Sequence, residues 1–183
     1  MLINQHIIPA INNHKKFEKF LKSKLEYGVL MNFQLAQLEP LVYEMKRHSK
    51  KVLIHAELIK GLASDEFGAI YLIQSLKVDG IVSSKPKVIE VCKKRGVTAI
   101  FRFFLKDAMS LEQSIDLARK TNPDYLEILP GTALDVIDLI RPLVQQPLIF
   151  GGLITKESQI RACIDRGAVA ITTSDDSLWE LSI

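Results

Sequence analysis

A single α/β domain, a compact TIM-like (β/α)8 barrel over residues 1–183, is predicted by three features of the sequence. Short apolar segments alternate with amphipathic ones along the whole chain, eight of each can be counted, and no long linker or low-complexity tract interrupts them. Strict alternation implies parallel strands joined by right-handed crossovers. Eight repeats in 183 residues leave about 23 residues per unit, which makes a trimmed barrel beside the roughly 250 residues usual for the architecture. An open doubly wound sheet is the alternative, and the count of eight argues against it.

Taken in order, the candidate strands cover residues 7–11, 27–31, 52–58, 80–84, 98–105, 125–129, 147–150 and 168–173. Helical patterns fill 15–23, 36–48, 65–76, 86–95, 111–121, 133–143, 156–166 and 175–181. The boundaries carry their own signals. Pro86 suits a first helical turn, where its missing N–H has no partner to lose. Asp107 or Ser110 can cap the helix that places Leu111, Ile115 and Ala118 on one face. Gly96 and Gly167 each follow a basic last turn, as a helix C-terminus prefers. Pro130-Gly131 ends the sixth strand and leads into a helix whose backbone N–H groups are free to face the barrel mouth.

The apolar fraction of 48% and the charged fraction of 25% are those of an ordinary globular chain. No apolar run is long enough to span a bilayer and the start lacks a signal-peptide pattern, so a cytoplasmic protein without membrane contact is expected. Cys92 and Cys163 lie far apart with no metal-ligand spacing, which predicts reduced thiols. Charge is uneven. Residues 1–51 hold nine Lys/Arg against four Glu, giving +5 there and leaving −2 for the rest of a chain of net charge +3. A basic flank suits a polyanionic partner, and it suits solubility as well.

Polar residues embedded in strands are the informative ones, because small barrels are normally filled with branched apolar side chains. Leu53, His55 and Glu57 share one strand face, as do Ile100, Arg102 and Phe104, and Tyr125, Glu127 and Leu129. This alternation points His55, Arg102 and Glu127 toward the barrel axis and puts Glu57 near the rim. Arg102 and Glu127, on neighbouring strands, form an expected ion pair. The seventh strand runs into Gly151-Gly152, where backbone N–H groups can approach an anion closely, and the eighth ends in Thr173-Ser174. Two such loops at the end of a barrel commonly hold phosphate. Lys85, at the end of the fourth strand, offers a point charge for a dianion.

Catalytic groups are sparse: no strand lysine suits a Schiff base, and no nucleophile stands beside an evident base. His55 with Glu57 or Glu127 could act as an acid–base pair. The residues by themselves therefore leave two classes open, a phosphosugar isomerase or lyase and a sensor that binds a small phosphate without chemistry.

Several segments together resemble the glycerol-3-phosphate-responsive antiterminator family, bacterial RNA-binding regulators of glycerol uptake and catabolism. They are Ile8-Pro-Ala-Ile11, Val52-Leu-Ile-His-Ala-Glu-Leu-Ile-Lys-Gly-Leu62, Asp79-Gly-Ile-Val-Ser-Ser-Lys85, Arg102-Phe-Phe-Leu-Lys-Asp107, Pro123-Asp-Tyr-Leu-Glu-Ile-Leu-Pro-Gly131, Phe150-Gly-Gly-Leu-Ile154 and Gly167-Ala-Val-Ala-Ile-Thr-Thr-Ser174. The resemblance spans nearly the whole chain. It implies a barrel that binds glycerol 3-phosphate as effector, needs no cofactor, binds the leader of an mRNA and performs no catalysis. It carries ligand contacts over to His55, Lys85, Arg102, Glu127, Pro130, Gly131, Gly151, Gly152, Thr173 and Ser174, with Glu57 added as a hydroxyl partner. This chain departs from the family at Asn12, where Arg is usual, at Glu57, where Asp is usual, and at Lys60, where an acid is common. For RNA, the basic helix with Lys15, Lys16, Lys19 and Lys22 and the turn with Arg47, Lys50 and Lys51 are the expected contacts. Gating by ligand leaves room for a homo-oligomer as well as for movement of the rim loops.

Overall fold

The structure, a computed structural model, describes residues 4–183. Eight strands close into an all-parallel barrel in sequence order. They are β1 (Ile7–Ile11), β2 (Tyr27–Leu30), β3 (Lys51–His55), β4 (Gly80–Ser83), β5 (Thr98–Phe104), β6 (Tyr125–Leu129), β7 (Leu148–Gly151) and β8 (Ala168–Thr173). Around them lie α1 (His14–Lys22), α2 (Leu35–Arg47), α3 (Glu66–Gln74), α4 (Pro86–Lys94), α5 (Ala108–Thr121), α6 (Asp135–Ile140) and α7 (Glu157–Asp165). Pairing of β1 with β8, Ile7 beside Ile171 and Pro9 beside Thr173, closes the ring. The open-sheet alternative is thereby excluded. No helix among the described residues is long and apolar enough to cross a membrane.

Local chemistry accounts for the element ends. Asp107 Oδ1 accepts the Ser110 N–H at 2.8 Å while Ser110 Oγ accepts the Asp107 N–H at 3.1 Å. This reciprocal cap starts α5 one turn earlier than the apolar pattern suggests. β3 stops at His55, and residues 56–58 coil into a 3-10 turn instead of extending the strand. There the backbone leaves the ladder to bond the loop after β2, with Asn32 N–H donating to Leu58 O and Lys60 N–H to Phe33 O.

The expected helix at 175–181 is not formed. Asp175 Oδ1 accepts both the N–H and the hydroxyl of Ser177, which makes a turn. The adjacent side chains Leu178 and Trp179 are then both buried, and the Trp179 indole N–H donates to Thr173 O at 3.1 Å.

Two apolar layers hold the barrel. Outside it, strands pack against helix faces through residues such as Phe20, Met45, Leu72, Ile89 and Ile160. Inside it, each strand contributes one side chain: Ile8, Val29, Leu53, Val82, Ile100, Tyr125, Ile149 and Ala170. Each such side chain is worth about 1.5–3 kcal/mol once withdrawn from water, Ala170 less. Because side chains alternate, the residues two positions on face the same interior, one layer nearer the carboxyl ends of the strands. That next layer contains His55, Arg102, Glu127, Gly151 and Thr172, and there the barrel becomes polar.

Candidate functional site

The polar layer centres on Glu127, which is 0% exposed. Arg102 lies beside it in register on β5, and its Nε donates to Glu127 Oε2 at 2.6 Å. Thr172 on β8 donates its hydroxyl to Glu127 Oε1, also at 2.6 Å. Burial pushes the Glu127 carboxyl up, but Arg102, then Thr172 and the nearby His55, outweigh it and hold the group below its ordinary value. The expected Arg102–Glu127 pair is therefore present, with Thr172 as a third member. Alternation with Ala170 in the eighth strand was the signal that could have found Thr172.

Beside this triad stands a second group. Glu57, displaced from the strand onto the 3-10 turn, accepts from the Ser83 hydroxyl at 2.5 Å and the Ser84 N–H at 2.8 Å. Burial raises its carboxyl; the His55 ring and these serine donors overcome that and bring it down to about 2. His55, 3% exposed, faces the interior as its alternation requires. Its Nδ1 is 3.3 Å from Glu57 Oε2, yet the two are not aligned for a hydrogen bond. Nδ1, Nε2 and Glu57 Oε2 are all buried without a hydrogen-bond partner. An unsatisfied buried polar atom costs about 1–3 kcal/mol, and neither residue is part of the lining of the cavity at the barrel mouth.

At the carboxyl-end mouth a cavity of about 550 Å³ opens between the loops after β7 and β8 and the first turn of α1. Arg102, Gly152, Thr172, Thr173 and Ser174 line it, and so does Lys16. Gly152 has φ of +76°, a conformation glycine adopts without cost. The N–H groups of Leu153 and Ser174 make no hydrogen bond within the chain among the described residues, whereas the pairing of Gly151 with Thr172 turns the Gly152 N–H toward Thr172 O. Thr173 differs from expectation: its hydroxyl donates to Ile154 O at 2.9 Å and accepts the Asp175 N–H, tying the two loops together.

Other expected contacts sit elsewhere. Lys85 is exposed at the start of α4 and does not line this cavity. Gly131 is buried, and its N–H is spent on Gly151 O. It therefore braces the seventh loop and offers no donor to a ligand. Gly151 is an interior position whose missing side chain makes room for Thr172 and Glu127. Asn12 is half-buried at the start of the first loop, with its Oδ1 accepting from Asn13 Nδ2, whereas Lys60 is exposed.

The basic residues also separate. Lys15 and Lys22 are exposed on α1, whereas Lys19 is tied to Asp176 at 3.2 Å and Lys16 borders the cavity. Arg47 pairs with Glu44 at 3.2 Å and Lys51 with Asp79 at 3.4 Å. Lys50 corrects the sequence reading, because it is only 9% exposed. Its ammonium donates to Ser23 O and Leu25 O at 2.6 and 2.8 Å and lies 5.1 Å from the Phe20 ring centroid. It is a structural clip, its ammonium committed to two backbone carbonyls.

Cys92 and Cys163 are free and buried. Burial pushes their thiols up to about 12 and about 11, which leaves them protonated and inert.

Known proteins share both this sequence and this shape. The family model for glycerol-3-phosphate responsive antiterminators matches residues 7–179. A glycerol uptake operon antiterminator regulatory protein from Listeria monocytogenes is 37% identical, with a TM-score of 0.94 over 98% of this chain and 97% of its own. A glycerol uptake operon antiterminator-related protein from Thermotoga maritima is 25% identical, with a TM-score of 0.85 over 97% of this chain and 99% of its own. The Escherichia coli (strain K12) protein YgcP, itself described as uncharacterized, is 27% identical over 100% of this chain and 95% of its own. A matching family model over nearly the whole chain, on the same closed barrel, places this protein in the glycerol-3-phosphate responsive antiterminator family.

Proposed function

We infer that this protein binds glycerol 3-phosphate at the barrel mouth and, so loaded, binds the leader of an operon transcript as an antiterminator in the cytoplasm, without chemical turnover. One observation carries the ligand half. Unbonded N–H groups of the two loops and the guanidinium of Arg102 share a cavity, above a polar layer that ends in orphaned buried atoms of His55 and Glu57. Arg102 spends only Nε on Glu127, which leaves its terminal N–H groups for an anion. The phosphate fits the loop N–H groups and Arg102. The glycerol hydroxyls would be taken by the His55 ring nitrogens and Glu57 Oε2, buried atoms without a hydrogen-bond partner that lie outside the cavity lining.

The chemistry of the carboxylates supports binding without turnover. A general base works best with a pKa near the working pH. Glu57 at about 2 and Glu127 held below its ordinary value are acceptors of hydrogen bonds and feeble acceptors of protons. An isomerase or lyase that used either carboxylate as its base is disfavoured on this ground.

The RNA half rests on family membership and on the exposed cations Lys15, Lys22 and Arg47, with salt-sensitive affinity expected from phosphate contacts. Calorimetry with glycerol 3-phosphate followed by NMR of the recovered ligand tests the first half: binding with unchanged ligand is expected, and steady conversion overturns it. A gel shift with a glycerol-operon leader transcript, with and without the ligand at low salt, tests the second. An RNA that does not move under either condition overturns that half.

A further inference from the structure

The cavity holds a cation that the reading above leaves unused. Lys16 lies in the first turn of α1, half-buried, and lines the mouth beside Gly152, Thr173 and Ser174. Its place is set by the helix. Asn13 Oδ1 accepts the Lys16 N–H at 2.9 Å, and Phe17 and Phe20 bury the inner face of α1. Among the described residues the Lys16 ammonium makes no ion pair and no hydrogen bond.

Its neighbours are engaged elsewhere. Lys19, one turn on, is 3.2 Å from the Asp176 carboxylate and donates to Asp176 O at 2.6 Å. Asp176 is thereby neutralised. Asp175 is satisfied by the Ser177 N–H and hydroxyl, and those bonds first, then the fields of Lys16 and Lys19, hold its carboxyl below the usual range. Lys85 is outside the lining. Arg102 already balances the buried Glu127. A dianion entering this cup therefore meets the ammonium of Lys16, which among the described residues is in no ion pair or hydrogen bond, although Asp175 and Asp176 also line the cavity and Asp175 feels its field.

We propose that Lys16 is the phosphate-recognising lysine of the mouth cavity. The sequence alone grouped it with the RNA contacts of the basic helix, because its helical neighbours are exposed lysines. The inference rests on the reading of this cavity as an anion site, and it adds the residue that gives the site its charge.

The test titrates inorganic phosphate and glycerol 3-phosphate into wild-type protein and into the variants Lys16→Gln, Lys16→Arg and, at an exposed lysine on α5, Lys120→Gln by calorimetry. A charge-assisted hydrogen bond is worth about 1.5–3 kcal/mol, which corresponds to a loss of about tenfold or more. Lys16→Gln should weaken both ligands by at least about tenfold, Lys16→Arg should retain most of the affinity, and Lys120→Gln should bind like wild type. Matching thermal melts of Lys16→Gln and wild type, expected for a side chain without bonds, exclude misfolding as the cause. Should Lys16→Gln bind both ligands as tightly as wild type, the assignment of Lys16 fails while the anion site stands. Wild type that binds neither ligand removes both. Phosphate binding that depends on Lys16, with glycerol 3-phosphate no tighter than phosphate, upholds Lys16 and overturns the ligand's identity.

Discussion

Thr172 on β8 reaches Glu127 on β6 with a 2.6 Å hydrogen bond that spans the whole width of β7. It can do so because the intervening interior position is Gly151. A Cβ there would stand 2.0 Å from Thr172 Oγ1 and 3.2 Å from Glu127 Oε1. The glycine beneath the mouth is thus a gap that lets two non-adjacent strands share one carboxylate.

Gly151→Ala should break that bond by steric overlap. Losing a hydrogen bond to a buried charge, together with overpacking, predicts a loss of about 2–4 kcal/mol. Chemical denaturation measures it, with Thr172→Val as the milder companion. An alanine variant as stable as wild type would show that the interior has slack the structure does not suggest.

Arg102→Met leaves Glu127 buried without its cation, and breaking such a pair costs about 3–5 kcal/mol. The double variant Arg102→Met with Glu127→Met removes both charges and should recover much of that stability. A double-mutant cycle on the denaturation midpoints checks this. A double variant no better than Arg102→Met alone would mean that Glu127 has some other source of neutralisation.

Glu57 sets part of the acid response. Its folded carboxyl sits at about 2 against an ordinary 4.5. The folded state therefore binds the proton less readily than the unfolded chain does. Its contribution is fully present above pH 4.5 and is lost as pH falls toward 2. Glu57→Gln should flatten the stability curve across that window and leave its shape above pH 5 unchanged, about half a unit clear of the unfolded value. Urea midpoints at several pH values measure the change, and an unaltered acid limb would contradict the assignment.

Lys50→Met strands the carbonyls of Ser23 and Leu25, an expected loss of about 1–3 kcal/mol. RNA affinity below the melting range should not change. Lys22→Gln is expected to do the opposite, sparing stability and lowering the salt slope of RNA binding by about one. Melting curves and gel shifts in parallel distinguish the two lysines, and reduced RNA binding by folded Lys50→Met would overturn the clip.

Period and alternation are local properties of the backbone, so the sequence by itself determined the barrel, its eight strands and the inward aim of His55, Arg102 and Glu127. The Gly-Gly and Thr-Ser loop ends were legible for the same reason. What lay beyond it depends on the reach of a side chain into a neighbouring segment. Glu57 left the strand because loop backbone from residues 32–35 competes for the turn. Lys50, indistinguishable in sequence from its exposed neighbours, found two carbonyls 25 and 27 residues away. Lys16 and Lys19, three residues apart on one helix, were given different surroundings by the tail after β8, which pairs with one and leaves the other at the cavity. The first two need only neighbouring strands to pair, and the last arises when the ring closes and brings the last strand beside the first.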